Sequence, residues 1–101
     1  MTTSRFFQNT PWGAADHVEC IAPGVFAVST PSHGGLYLDD VALDAIPAAH
    51  RAYAARWSHG YGDAWYEEDC AAACVIAAMP QHFTAEEVAR SRATVARFIG
   101  A

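Results

Sequence analysis

The residues able to do chemistry gather in one stretch and two loops. Trp65-Tyr66-Glu67-Glu68-Asp69-Cys70 sets three consecutive carboxylates between an aromatic pair and the apolar run Ala71 to Met79, and His33 and His59 stand in the glycine-rich segments Ser32-His33-Gly34-Gly35 and Ser58-His59-Gly60-Tyr61-Gly62. Three like charges at the mouth of a buried element need a positive counterpart, either a helix N-terminus inside the protein or a basic partner outside it. His33, His59 and one of Glu67, Glu68 or Asp69 form a donor set that zinc or iron accepts, but no His-x-x-x-His or Cys-x-x-Cys spacing pairs them. A nucleophilic arrangement would use Cys70, with His33 or His59 as base and Asp69 or Asp16 as orienting group. Against it, acidic neighbours and a position within a helix both disfavour a reactive thiolate. The residues therefore assign no catalytic group, no metal and no cofactor, and Cys20, Cys70 and Cys74 are expected to be buried structural thiols. Cys70 and Cys74, four residues apart on a helix with Cα atoms about 6 Å apart, are poorly placed for a disulfide.

Helical phasing separates the three acids. If Asp63 caps a helix running from Ala64 to Met79, then Trp65, Asp69, Ala72, Ile76 and Met79 share one face. Asp69 then interrupts an apolar stripe and is expected to be buried as an internal tie to an arginine, a histidine loop or backbone amides. Glu67 and Glu68 are left to face outward.

The remaining elements follow from patterning. Asp16 to Ala22 and Val25 to Thr30 are short runs rich in β-branched residues, joined by Pro23-Gly24 in the places that a type II turn requires, and Leu36-Tyr37-Leu38 supplies a third strand. A short turn across Val41 to Ala45 precedes an amphipathic helix over Ala48 to Trp57, with Pro47 at its start. Thr84-Ala85-Glu86-Glu87 is a capping box, and Val88, Val95, Phe98 and Ile99 form the apolar stripe of a last helix closed by Gly100. The fold class is α+β, a three-stranded antiparallel sheet in the N-terminal half packed by two to three helices in the C-terminal half. One domain is expected over residues 1–101, with 1–10 a partly flexible tail pinned by Phe6 and Phe7, 16–38 the sheet region and 47–99 the helical region. Much of the apolar content is alanine, so the core is expected to rest on Phe6, Phe7, Trp12, Phe26, Leu36, Leu38, Trp57, Trp65, Ile76 and Phe98.

Charge narrows the partners. All six cations are arginines, and a net charge of −5 argues against affinity for nucleic acid or anionic lipid. Between Asp39 and Asp69, the acids Asp39, Asp40, Asp44, Asp63, Glu67, Glu68 and Asp69 face only Arg51 and Arg56, a local balance of −5. No run of about twenty apolar residues exists to span a bilayer. No signal-peptide pattern opens the chain, and the cysteines suit a reducing compartment, so a cytoplasmic location is expected.

The patches Thr10-Pro11-Trp12-Gly13, Ser29-Thr30-Pro31-Ser32-His33-Gly34-Gly35 and Trp65-Tyr66-Glu67-Glu68-Asp69-Cys70, in this order, resemble an uncharacterised domain family of proteobacterial phages, plasmids and integrative elements. In size and charge the chain also resembles small proteins that block host defence, the anti-CRISPR and anti-restriction inhibitors. That resemblance implies a stoichiometric, non-enzymatic inhibitor whose acidic face docks on a basic surface of a nucleic-acid-binding effector, with Trp65, Tyr66 and Tyr61 as anchors. A small hydrolase or metal-binding domain centred on His33 and the acidic hexapeptide is the alternative. An accessory domain that binds a partner from its own mobile element is a third.

Overall fold

The computed structural model describes residues 5–100. A 3-10 turn, Arg5–Gln8, leads into β1 (His17–Ala22), β2 (Val25–Ser29) and β3 (Gly34–Leu38), followed by α1 (Asp40–Leu43) and α2 (Ala48–Arg56). Then come β4 (Trp65–Glu67), α3 (Ala72–Ala78), a second 3-10 turn and α4 (Ala85–Phe98). The sheet has four strands in the order β1-β2-β3-β4, all antiparallel. Gly24 closes the β1–β2 hairpin at φ 74°, the left-handed value that a type II turn needs at its third position.

The fourth strand corrects two expectations at once. Trp65 pairs with Tyr37 and Tyr66 with Leu36, so the aromatic pair belongs to the sheet and the helix expected from Ala64 begins instead at Ala72. An aromatic dipeptide suits a pleated surface covered on both faces, because alternation sends Trp65 to one side and Tyr66 to the other. Both are buried. The other elements lie close to their expected bounds, α2 ending one residue short of Trp57 and α4 beginning at the capping box, where Glu87 N–H donates to Thr84 Oγ1 (3.1 Å) and Thr84 N–H to Glu87 Oε1 (3.0 Å).

The sheet separates two cores. On one side Val25, Leu36, Leu38 and Tyr66 pack against a helical layer whose buried residues are mostly small, among them Ala42, Ala54, Ala71, Ala72, Ala73 and Cys74. Those small side chains let α3 lie directly against α4. On the other side Trp12, Val28 and Trp65 are joined by Phe7, Phe26 and Tyr37. Phe6 stacks on Trp65 from outside, ring centroids 5.7 Å apart. Both N-terminal aromatics thus pin the chain to the sheet, while the part of the expected flexible tail in residues 1–4 lies outside the described residues. Three expected core residues, Phe6, Trp57 and Phe98, are about half exposed, and Phe98 lies under the Arg97 guanidinium instead. Tyr66, fully buried, takes the central place that the sequence reading did not give it. No helix among the described residues is long and apolar enough to cross a membrane.

Candidate functional site

Two Thr-Pro turns of the same design present residues to a common place. In Thr10-Pro11-Trp12-Gly13 the buried Thr10 hydroxyl donates to the Gly13 carbonyl (2.6 Å) and accepts from Trp12 N–H (3.1 Å). In Thr30-Pro31-Ser32-His33 the buried Thr30 hydroxyl donates to the His33 carbonyl (2.7 Å) and accepts from His33 N–H (3.1 Å). The third patch joins them through the sheet, Glu68 N–H donating to the Gly34 carbonyl at 3.0 Å. Gly35 makes the approach possible. A Cβ there would strike the Tyr66 carbonyl oxygen, come within 2.6 Å of Trp12 Cη2 and within 2.9 Å of Glu67 Cα.

Trp12, His33, Gly34, Glu67, Glu68, Asp69 and Cys70 consequently line one cleft of about 310 Å³. Its far wall is Tyr53 and Trp57, one turn apart at the end of α2, with His59 beyond them. The backbone at His59 takes a left-handed φ of 55°, and the loop around it is tied by the buried Ser58 hydroxyl, which donates to the Gly62 carbonyl at 2.7 Å.

Glu67 and Asp69 exchange the roles the phasing assigned. Glu67 accepts three backbone N–H groups, from Asp69 (2.9 Å), Cys70 (2.8 Å) and Ala71 (3.0 Å), and so holds the turn that opens α3. Asp69, expected to be buried as an internal tie, is exposed, as is Glu68. The cause is the strand: the chain leaves the sheet at Glu67 and turns before α3, so Asp69 never joins a helical stripe. Neither Glu68 nor Asp69 makes a side-chain hydrogen bond or ion pair among the described residues, where the one ion pair joins His17 and Glu19.

The other acids sit elsewhere. Asp39 caps α1, its Oδ1 accepting from Ala42 N–H at 2.9 Å, with Asp40 and Asp44 exposed beside it. That group lies at the opposite end of β3 from Gly34 and Glu68, about 15 Å away at the rise of a strand. The single acidic face expected from sequence is therefore two separate groups. Asp63, half-buried in the loop before β4, stands near Tyr66, whose phenol is pushed up by burial first and then by that carboxylate. Two expected anchors are buried, Trp65 and Tyr66 being 4% and 0% exposed. Tyr61 remains partly open, its hydroxyl donating to Asn9 Oδ1 and its ring meeting the edge of Trp65.

The chemistry of the cleft is acceptor and aromatic in character. Burial pushes the Tyr53 phenol above its ordinary value, and the Cys70 thiol beside it and then Glu67 push it further. No hydrogen bond joins Cys70 to His33 or His59. All three cysteines are free: Cys74 is buried, Cys70 half-buried, and Cys20 exposed on the edge strand, contrary to expectation. Among the described residues no three His, Cys, Asp or Glu side chains are placed to share a metal ion. Sequence reasoning found His33, His59 and the acids but missed Trp12, Tyr53 and Trp57. The signal for Trp12 was the Thr-Pro turn, present twice; for Tyr53 and Trp57 it was a pair of aromatics one helical turn apart running into a glycine-rich loop.

Fold and site together define an α+β domain in which an antiparallel sheet carries an aromatic cleft with a carboxylate rim. The chain belongs to the family described as a domain of unknown function, DUF7007, which it matches over residues 5–99. No curated protein and no solved structure matches it.

Proposed function

We propose that this domain acts by binding, one to one and without catalysis, a basic surface of a protein partner through the cleft and its free carboxylates. The observation that carries the reading is the lining itself: no arginine reaches the cleft, and Glu68 and Asp69 stand on its rim without a partner among the described residues. Such an arrangement speeds encounter with a basic surface and fixes its register. The narrower form makes the chain a product of a phage or plasmid and the partner a nucleic-acid-binding complex of a bacterial defence system; small size, a net charge of −5 and the three sequence patches support it. Binding of the purified protein to such a complex, followed across salt concentrations, tests this. Affinity is expected to fall as salt rises and to be lost in Glu68→Lys/Asp69→Lys, while Asp40→Lys/Asp44→Lys retains most of it. Tight binding unchanged by the first pair overturns the reading.

A thiol-dependent hydrolase is the second reading, favoured by one observation. Cys70 stands in the turn before α3 and not within a helix, on the same cleft as His33 and His59. Mass spectrometry after incubation with activated acyl esters distinguishes it: a transient acyl adduct on Cys70, absent in Cys70→Ser, would favour chemistry over binding.

A further inference from the structure

We infer that the cleft receives the guanidinium of one arginine side chain of the protein partner, laid on the ring of Trp57 and paired with the carboxylates of Glu68 and Asp69. This rests on the basic-partner reading above and narrows it to a single recognised group. About 310 Å³ has room for one long side chain, at the bottom of the range of roughly 300–1,000 Å³ that ligand sites occupy. Trp57 argues for a cation. It is 51% exposed at the end of α2, lines the cleft and packs on Tyr53 with ring centroids 6.3 Å apart. An indole face carries negative charge density and attracts a cation set over it.

The carboxylates supply the counter-charge. Glu67 is consumed by its three backbone N–H donors, whereas Glu68 and Asp69 keep all their acceptor capacity. Glu68 Oε2 lies 3.2 Å from where a Cβ of Gly34 would stand, so the floor beneath that carboxylate is bare backbone. Arg90 of α4 lines a smaller hollow of about 150 Å³ together with the same two acids and forms no ion pair with either. Guanidinium fits this set better than ammonium. It is planar and weakly hydrated, so it can stack on indole and bond two carboxylates through its fork of N–H donors, while a lysine head is a strongly hydrated point charge.

The test uses the whole protein and three short peptides that differ at one residue: arginine, lysine or citrulline, the last keeping the shape without the charge. Binding is followed by tryptophan fluorescence and by backbone and indole NMR shifts. The arginine peptide is expected to move signals of Trp12, His33 and Trp57 with a dissociation constant in the millimolar range, on the order of fivefold tighter than the lysine peptide, and the citrulline peptide not to saturate. Trp57→Ala and Glu68→Gln/Asp69→Asn, all at exposed positions, are each expected to weaken the arginine peptide on the order of fivefold with an unchanged circular dichroism spectrum. Equal binding of the lysine peptide overturns the guanidinium assignment and leaves the basic-partner reading standing. Shifts that map to Asp39, Asp40 and Asp44 move the docking site to the other acidic group and overturn the cleft. No shift with either cationic peptide, together with salt-independent capture of any partner, overturns both.

Discussion

Asp39-Asp40, with Asp44, after β3 and Glu67-Glu68-Asp69 at the end of β4 each begin with a carboxylate that accepts backbone N–H groups at the entry to a helix and continue with carboxylates that face water. Their surroundings differ. Past Asp40 the chain presents Val41, 82% exposed, whereas past Glu67 it enters a cleft lined by two tryptophans, a tyrosine and two histidines. Equal charge thus makes unequal sites. An acidic turn becomes a place to bind something only when other elements bring it walls, and the walls here come from residues more than fifty positions upstream and ten positions back along the chain.

A glycine backs each turn, and the two should respond very differently to a methyl group. Gly35→Ala would drive Cβ into the Tyr66 carbonyl, the Trp12 ring and the Glu67 backbone, atoms that the sheet cannot move. A loss of about 3 kcal/mol is expected, read as a lower midpoint in urea unfolding. Gly24→Ala meets the Asp39 carboxylate, with Cγ at 2.7 Å, which can swing aside, and the main cost is the left-handed backbone at φ 74°. About 1–2 kcal/mol is expected there. If the two losses were equal, the close approach of the three patches at Gly35 would not be what holds the cleft together.

The two leading carboxylates sharpen the same contrast. Glu67→Ala leaves three backbone N–H groups without their acceptor and is expected to cost about 2 kcal/mol, against about 1 kcal/mol for Asp39→Ala, which removes one bond. Glu68→Gln and Asp69→Asn should leave stability within about 0.5 kcal/mol, since both side chains are exposed and without a partner among the described residues. A large loss from either would mean that it, and not Glu67, ties the turn.

Local signals in this chain carried their elements well. The Pro23-Gly24 turn, the Thr84 capping box and the spacing of α2 all act over a few residues, and each element appears where its signal stands. The failure at Trp65 has a different origin. In three residues the periods of strand and helix cannot be told apart, and what decides the segment is the open edge of β3, a partner some thirty positions away. That one misassignment rotated the acids, exchanging Glu67 with Asp69. The types of the chemical residues were legible; their convergence was not, because it depends on the sheet register that sets Gly34 beside Glu68.

The weakest expected effect at neutral pH concerns the two thiols that follow the acidic turn, one at the cleft and one in the core. Cys74 is fully buried, and burial pushes its thiol from the ordinary 9.0 up to about 11. Between those values the unfolded chain gives up this proton while the native chain keeps it, so the native state binds more protons and stability falls as pH rises. Tyr66, Tyr53 and Tyr37, all raised above 10.0 by burial first, steepen the decline. Stability should begin to fall as pH approaches 9 and drop further toward pH 11, with a shallower drop in Cys74→Ala, read from urea midpoints across that window. Thiol labelling of the native protein should follow exposure: Cys20 first, Cys70 next, and Cys74 only with unfolding. Cys70 labelling as slowly as Cys74 would mean that the cleft is shut to a small reagent, and the distinction between the two acidic turns would then reduce to which helix each one leads into.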